Sequence, residues 1–302
     1  MISENKTAVT LGSFDGLHRG HMSVIACAFE LQRERGLSPL VLLFDSHPML
    51  TIMGKAPSMI LQTELRDKLL ADLGAETCIV PFAEIKDMTC REFFEKILIG
   101  RLNAGGVCCG WNYRFGKGNE GGKHILEKLC AEYGMELRVS PPIDLDGSPI
   151  SSTRIRRAIE NGDIPLANAM LGREFCYKLT VVNGDHRGRL MGAPTINQHF
   201  ETGFVRPKKG VYASATVIEN KLYPSVTNIG LRPSFENEDF RSETCILGFD
   251  GNLYGQKIEV RLLQYLRGEI RFESMDDLGR QIHIDAAKAK EIFLNRGENI
   301  NV

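Results

Sequence analysis

GSFDGLHRGH, residues 12–21, follows the apolar run Ala8-Val9-Thr10-Leu11 and places three glycines and two histidines in ten positions. A short apolar run bounded by glycine reads as a buried strand, and Gly12, Gly16 and Gly20 let backbone amides approach whatever lies beyond its end. His21 is expected to open the next helix, where free N–H groups and the helix dipole favour an anion. His18 and His21, three apart, can point to the same side. The pattern suits a polyphosphate with imidazoles beside its bridging oxygens. A three-histidine zinc site on His18, His21 and His47 of FDSHP is the competing reading. It lacks an assigned supporting carboxylate, and His47 comes from a separate strand end.

Outward from this stretch, the first half alternates apolar runs with segments of helical period. The runs Ala8 to Leu11, Leu40 to Phe44, Thr77 to Phe82, Val107 to Cys109 and Glu136 to Val139 read as buried strands. Val24/Ala28/Leu31, Leu61/Leu65/Leu69/Leu73 and Ile125/Leu129/Tyr133 carry helical spacing between them. Strand, helix, strand in repetition predicts a doubly wound parallel sheet with ligands at the carboxyl ends of its strands. GSFDGLHRGH lies at such an end.

Near Gly172 the pattern changes. Tyr177 to Val182, Gly210 to Ile218, Lys221 to Val226, Ser242 to Phe249 and Lys257 to Tyr265 are β-rich runs separated by turn residues, which predicts a closed or nearly closed antiparallel barrel. A final helix is expected after a Ser274 cap, with Leu278, Ile282, Ala289 and Phe293 on one face. The expected domains are residues 1–172 and 173–302.

The 302 residues are 43% hydrophobic and 25% charged, an ordinary globular composition with room for two domains. Lys plus Arg (37) balance Asp plus Glu (38) to a formal charge of −1, so the totals point to neither nucleic acid nor an acidic membrane. Any phosphate site must be local. With no signal-peptide pattern and no apolar run of spanning length, a cytoplasmic protein is expected. Eight cysteines without a CxxC pair then read as reduced thiols.

Two phosphate-loop matches fail on inspection. GKGNEGGK contains Gly116-x-Gly118-x-x-Gly121, but Trp111 to Phe115 separate it from its strand. As a Walker A motif it has one residue too many, and His124 follows Lys123 where Ser or Thr is required. ISSTRIRRAIENGD is more informative: Ser151 or Ser152 can cap a helix whose first turns carry Arg154, Arg156 and Arg157, against the helix dipole. A bound anion relieves that conflict. GWNYRFG, residues 110–116, adds Asn112 and Arg114 at the end of the fourth strand.

GSFDGLHRGH, FDSHP, GWNYRFG and ISSTRIR, followed by GRLMGAPTIN, TNIGLRPSF and RSETCIL, resemble the bacterial bifunctional riboflavin kinase and FMN adenylyltransferase family, also called FAD synthetase. The likeness runs in order over nearly the whole chain. It implies a Rossmann-like nucleotidyltransferase domain joined to a riboflavin kinase barrel, with ATP, riboflavin and FMN as substrates, FAD as product and Mg²⁺ as cofactor. Small molecules are then the expected partners, with no nucleic acid and no membrane.

Adenylyl transfer to FMN starts from a phosphate that is already an anionic nucleophile, so positive charge and positioning matter more than a strong base. His18, His21 and Arg154 are the expected catalytic groups there, with Arg156 assisting. Gly12, Phe14, Asp15, Gly16, Gly20, His47, Asn112, Arg114, Ser151, Ser152 and Thr153 are the binding positions that the resemblance implies.

Phosphorylating riboflavin starts from a neutral alcohol, for which a carboxylate base is useful. Glu243 is the expected base, while Thr195 and Asn197 offer hard oxygens suited to Mg²⁺. Gly188, Arg189, Gly192, Pro194 and Asn228 are implied as nucleotide- and flavin-binding. Ser46, Met191, Ser234 and Cys245 depart from the family pattern, and none removes a proposed catalytic group.

Overall fold

The computed structural model describes residues 6–183, 195–233 and 238–296. Gly188, Arg189, Gly192 and Pro194, with the departures Met191 and Ser234, lie outside the described residues. The chain divides into two compact units. Residues 1–57 and 63–151 form the first, and residues 58–62 and 152–302 form the second.

The first unit contains β1 (Thr7–Leu11), α1 (Arg19–Arg35), β2 (Ser38–Phe44), α2 (Pro48–Met53), α3 (Thr63–Asp72) and β3 (Glu76–Val80). The short α4 (Phe82–Ile85) and α5 (Cys90–Glu92) follow, the latter running into a wide π-helical turn, Phe93–Arg101. Next come β4 (Ala104–Gly110), α6 (Lys123–Glu132), β5 (Glu136–Ser140) and a two-stranded ribbon, β6 (Asp144–Leu145) with β7 (Ser148–Pro149). The five main strands pair in parallel in the order β3-β2-β1-β4-β5. The order reverses direction between β1 and β4, and the crevice at that switch point is where doubly wound sheets bind ligands.

All five residues of β1 are buried. One face of the sheet packs Val9, Leu11, Leu40, Leu42, Val107 and Cys109 against Phe93, Phe94 and Ile97, and the other packs Ala8 and Cys108 against Val24, Ala28 and Leu31 of α1. That two-sided burial explains why these strands read as continuous apolar runs.

Several details differ from expectation. α1 starts at Arg19 with His18 as its N-cap, so His21 lies inside the first turn instead of opening the helix. Pro81 stops β3 at Val80 and stands at the N-cap of α4. Leu61, at helical spacing from Leu65, belongs to the 58–62 segment, and α3 begins only at Thr63. The helix at Cys90 begins with a capping box on Thr89 and Glu92, a local signal that apolar periodicity does not carry.

The second unit begins with α7 (Ser152–Asn161) and α8 (Ile164–Leu171). Its strands are β8 (Phe175–Val182), β9 (Thr195–His199), β10 (Gly210–Ile218), β11 (Lys221–Pro233), β12 (Glu238–Ile246) and β13 (Lys257–Arg267), closed as β10-β11-β12-β9-β8-β13. α9 (Met275–Asn295) starts at the expected Ser274 cap, whose hydroxyl accepts from the Asp277 amide. β9 is the strand that the sequence hides, because Pro194 and the polar run Thr-Ile-Asn-Gln read as a turn.

Ala289 and Phe293 of α9 pack on Ala213, Ala215, Val226 and Leu263, which defines the outer face of β10, β11 and β13. The opposite face fills the barrel. Ser214 meets Thr227 at 2.8 Å, Thr227 meets Thr244 at 2.9 Å, and Thr216 meets Ser225 at 2.7 Å. Gln198 donates to the carbonyls of Leu179 and Ile258 across the same interior. A polar core is stable here because its hydroxyls satisfy one another.

Segment 58–62 is tied into this unit. The Gln62 side chain accepts from the Lys178 amide at 2.7 Å and donates to its carbonyl at 3.1 Å. The Arg156 side chain donates to the Ser58 carbonyl at 2.6 Å.

Candidate functional site

In the first unit, the loop between β1 and α1 leaves the sheet at the switch point. Phe14, Gly16 and Leu17 have positive φ angles of 48°, 84° and 40°. Such a conformation costs a non-glycine residue about 1–3 kcal/mol, and here Phe14 and Leu17 are held in it by near-complete burial. Gly12 is needed because a side chain there would meet the Phe14 ring at 3.1 Å.

The consequence is a pair of aligned imidazoles. His18 is 6% exposed and its Nδ1 accepts from the His21 amide at 3.3 Å. The rings of His18 and His21 stack with centroids 3.7 Å apart and planes 16° from parallel, with the Phe14 ring 5.4 Å from His21. Same-side placement, expected from the spacing, is thus what the backbone produces.

Other sequence-selected groups leave the same edge of the sheet. His47 caps α2 through Nδ1, which accepts from the Met49 amide at 3.2 Å. Asp45 accepts from the Phe82 amide at 3.0 Å. Beyond β4, Asn112 and Arg114 are exposed and Tyr113 turns inward to stack on Phe115. Burial pushes the Tyr113 phenol up, so it stays protonated at neutral pH. Among the described residues, no group of three or more His, Cys, Asp or Glu is arranged to hold a metal ion. Asp15 and Gly20 lie within the His18 loop and α1. Ser151 immediately precedes α7, which carries Ser152, Thr153, Arg154 and Arg156 in the second unit.

The second site is a lane across the outer face of the barrel. In register, Asn228 of β11 lies opposite Glu243 of β12, and Glu243 lies opposite Asn197 of β9. One position toward the start of β9, Cys245 faces Val226 and Thr195. One position the other way, Arg241 faces Gly230 and His199. Glu243 stands at the centre of this nine-residue patch and is half-buried. Asn197 is 5% exposed, and its Oδ1 and that of Asn228 are both buried without a hydrogen-bond partner among the described residues. Buried polar atoms are normally satisfied, so two amide oxygens without a partner among the described residues, beside one carboxylate, make this row the barrel's candidate site.

The sequence motifs single out Glu243, Asn228, Thr195 and Asn197 and give no role to Arg241, His199 or Asp239. The available signal was alternation: 239, 241, 243 and 245 share one face of β12.

A doubly wound parallel sheet and a closed antiparallel barrel in one chain, each with a candidate polar site, have the architecture of a two-domain enzyme of the FAD synthetase and riboflavin kinase type. The FAD synthetase family model matches residues 2–154 and the riboflavin kinase model residues 171–293. The chain belongs to the bifunctional riboflavin kinase/FMN adenylyltransferase family. It is 36% identical to the protein of that description from Escherichia coli strain K12, over 94% of this chain and 92% of the relative. It is 32% identical to the one from Bacillus subtilis strain 168, over 96% and 93%. A crystal structure of a Streptococcus pneumoniae protein described as a macrolide-efflux protein superposes with a TM-score of 0.87 at 29% identity, covering 95% of both chains. Among the described residues, no helix here is long and apolar enough to cross a membrane.

Proposed function

We propose that this chain makes FAD in two ATP-consuming steps, phosphorylating riboflavin to FMN in the barrel unit and adenylylating FMN in the sheet unit with release of pyrophosphate. The observation that carries the reading is the Asn228–Glu243–Asn197 row, a carboxylate flanked in register by two orphaned amide oxygens.

For the kinase step, Glu243 accepts the proton of the terminal riboflavin hydroxyl as that oxygen bonds to the γ-phosphorus and ADP leaves. Thr195 and Asn197 supply hard oxygens, and the buried Asn197 Oδ1 fits a cation in the Mg²⁺ class. When bound there, Mg²⁺ neutralises phosphate charge. Asn228, on the other flank of Glu243, is left for the flavin.

For the adenylyl step, the FMN phosphate attacks the α-phosphorus directly and no carboxylate base is required. The stacked His18 and His21 and the amides that open α1 supply donors for the triphosphate. Arg154, within the stretch matched to FAD synthetase, is assigned to the adenylyl step on its charge. Arg156 already holds the Ser58 carbonyl, so its part is to secure α7. Both activities suit a reducing cytoplasm, where the eight thiols stay free.

The test is a time course of purified protein with riboflavin, ATP and Mg²⁺, flavins separated at each point. FMN should appear first and FAD after it, with pyrophosphate released only in the second phase. Absence of either product at saturating ATP and Mg²⁺ refutes the two-step reading.

A further inference from the structure

We infer that Arg241, His199 and Gly230, together with Glu269, form a subsite for the polyol chain of the alcohol substrate. This rests on the proposed kinase activity of the barrel and adds a direction to it: phosphates at the Thr195 end of the lane, the reacting hydroxyl at Glu243, and the rest of the ribityl chain toward His199.

The direction follows from the register. Thr195 and Cys245 occupy one end of the patch, Glu243 the middle, and Arg241, His199 and Gly230 the other end. With Thr195 at the first end and Asn197 beside the base at the centre, the carbons of the acceptor that carry its remaining hydroxyls have, among the described residues of these three strands, the Arg241 end as the polar stretch beyond the base.

The chemistry at that end fits secondary hydroxyls, each of which both donates and accepts. Asp239 accepts from His199 Nδ1 at 2.5 Å and, through its other oxygen, from Arg241. Burial works against the Asp239 charge, but these two hydrogen bonds outweigh it and hold the carboxyl below its usual range. With Nδ1 against the Asp239 carboxylate, Nε2 of this half-exposed ring is the nitrogen left to meet a ligand hydroxyl.

Arg241 spends Nη2 on Asp239, while its Nε is buried and has no partner among the described residues. Across the strand, a side chain at Gly230 would come within 2.5 Å of Glu269 Oε1, so the absent Cβ is what lets this carboxylate lie against β11. Asn228 Oδ1 completes the set as a second orphaned acceptor. Donors and acceptors thus alternate beside the base. A surface ion-pair cluster alone has no need of an orphaned, buried Nε–H.

The test compares two acceptors at saturating ATP and Mg²⁺ on the full chain: riboflavin, and a flavin whose side chain is 5-hydroxypentyl, with the same ring and reacting hydroxyl but no secondary hydroxyls. The parent protein should prefer riboflavin by about 10²-fold in kcat/KM, since a site built to hydrogen-bond hydroxyls discriminates strongly against analogues without them. R241M should narrow that preference about tenfold, through riboflavin, with KM for ATP little moved. H199F keeps the Asp239–Arg241 pair and should narrow it as well, which carries the comparison if R241M is insoluble. An unchanged preference, or equal losses on both acceptors, would overturn the subsite and leave the cluster a purely structural one. A parent protein that phosphorylates neither acceptor would instead fail the kinase reading itself.

Discussion

His18 and His21 lie face to face, 3.7 Å between ring centroids, and are joined by a hydrogen bond from the His21 amide to His18 Nδ1. The two residues therefore differ in what they can lose. His18 is the N-cap of α1 and is also assigned to the triphosphate, whereas the His21 side chain has no part in capping.

His21→Ala should slow FAD formation from supplied FMN by about 10²–10³, the usual cost of one preorganised charge-stabilising donor. FMN should still accumulate from riboflavin. His18→Ala should add a stability loss of about 1 kcal/mol for the missing cap. Chemical denaturation of both variants separates the effects: equal stabilities would remove His18 from the capping role.

Glu243→Gln keeps shape and removes basicity. The riboflavin step should fall by about 10²–10⁴ while binding changes much less. Given FMN directly, the same variant should make FAD at close to the parent rate. Near-normal FMN production would eliminate Glu243 as the base.

Two thiols couple stability to alkaline pH. Burial, reinforced by neighbouring Cys130, pushes Cys109 up to about 12, and burial alone pushes Cys130 up to about 11. Both folded values lie above the unfolded value of about 8.5, so their contribution is complete below pH 8.5 and is lost as pH rises toward 11 and 12. Each thiol accounts for about 1.4 kcal/mol per pH unit in that window. Urea midpoints at pH 8, 9 and 10 should fall more gently in Cys130→Ala than in the parent. Parallel slopes would contradict the assignment.

The Gln62 side chain makes two bonds to the backbone of Lys178, one in each direction. Gln62→Ala should destabilise the barrel unit by about 1–3 kcal/mol, two part-buried hydrogen bonds' worth. Thermal unfolding followed by loss of riboflavin phosphorylation should show it as a lower midpoint, with activity at low temperature retained. A barrel fragment starting at residue 173 lacks both this segment and Asn168, which ties α8 to Phe175 and Leu262, and should be weaker still.

What was legible in the sequence follows physical period. β1, β2 and β4 were readable because both of their faces are buried, and α9 because its cap and apolar stripe agree. β9 was not readable: its inner residue Gln198 is polar and satisfied by barrel carbonyls, so hydrophobic alternation is absent where the strand is most buried. The His18 and His21 pairing was visible in spacing, but the cap that fixes it depends on the buried Phe14 and Leu17 turn. Arg241, His199 and Asp239 became a group only once three strands, distant in sequence, lay in register. The 58–62 segment gave no signal, since Leu61 continues the helical spacing of α3 while packing elsewhere.

The discontinuity at 58–62 also sets an order of events during synthesis. Residues 1–57 and 63–151 are all available once β7 has been made, yet the partners of 58–62, Lys178 among them and the Phe204 that bridges Met59, come later from the ribosome. At roughly 5–20 residues per second, Met59 waits on the order of ten seconds or more for its partner. During that interval Met59, Ile60 and Leu61 form an apolar stretch with no place in the sheet. A slow stretch of translation before the barrel would lengthen that exposure.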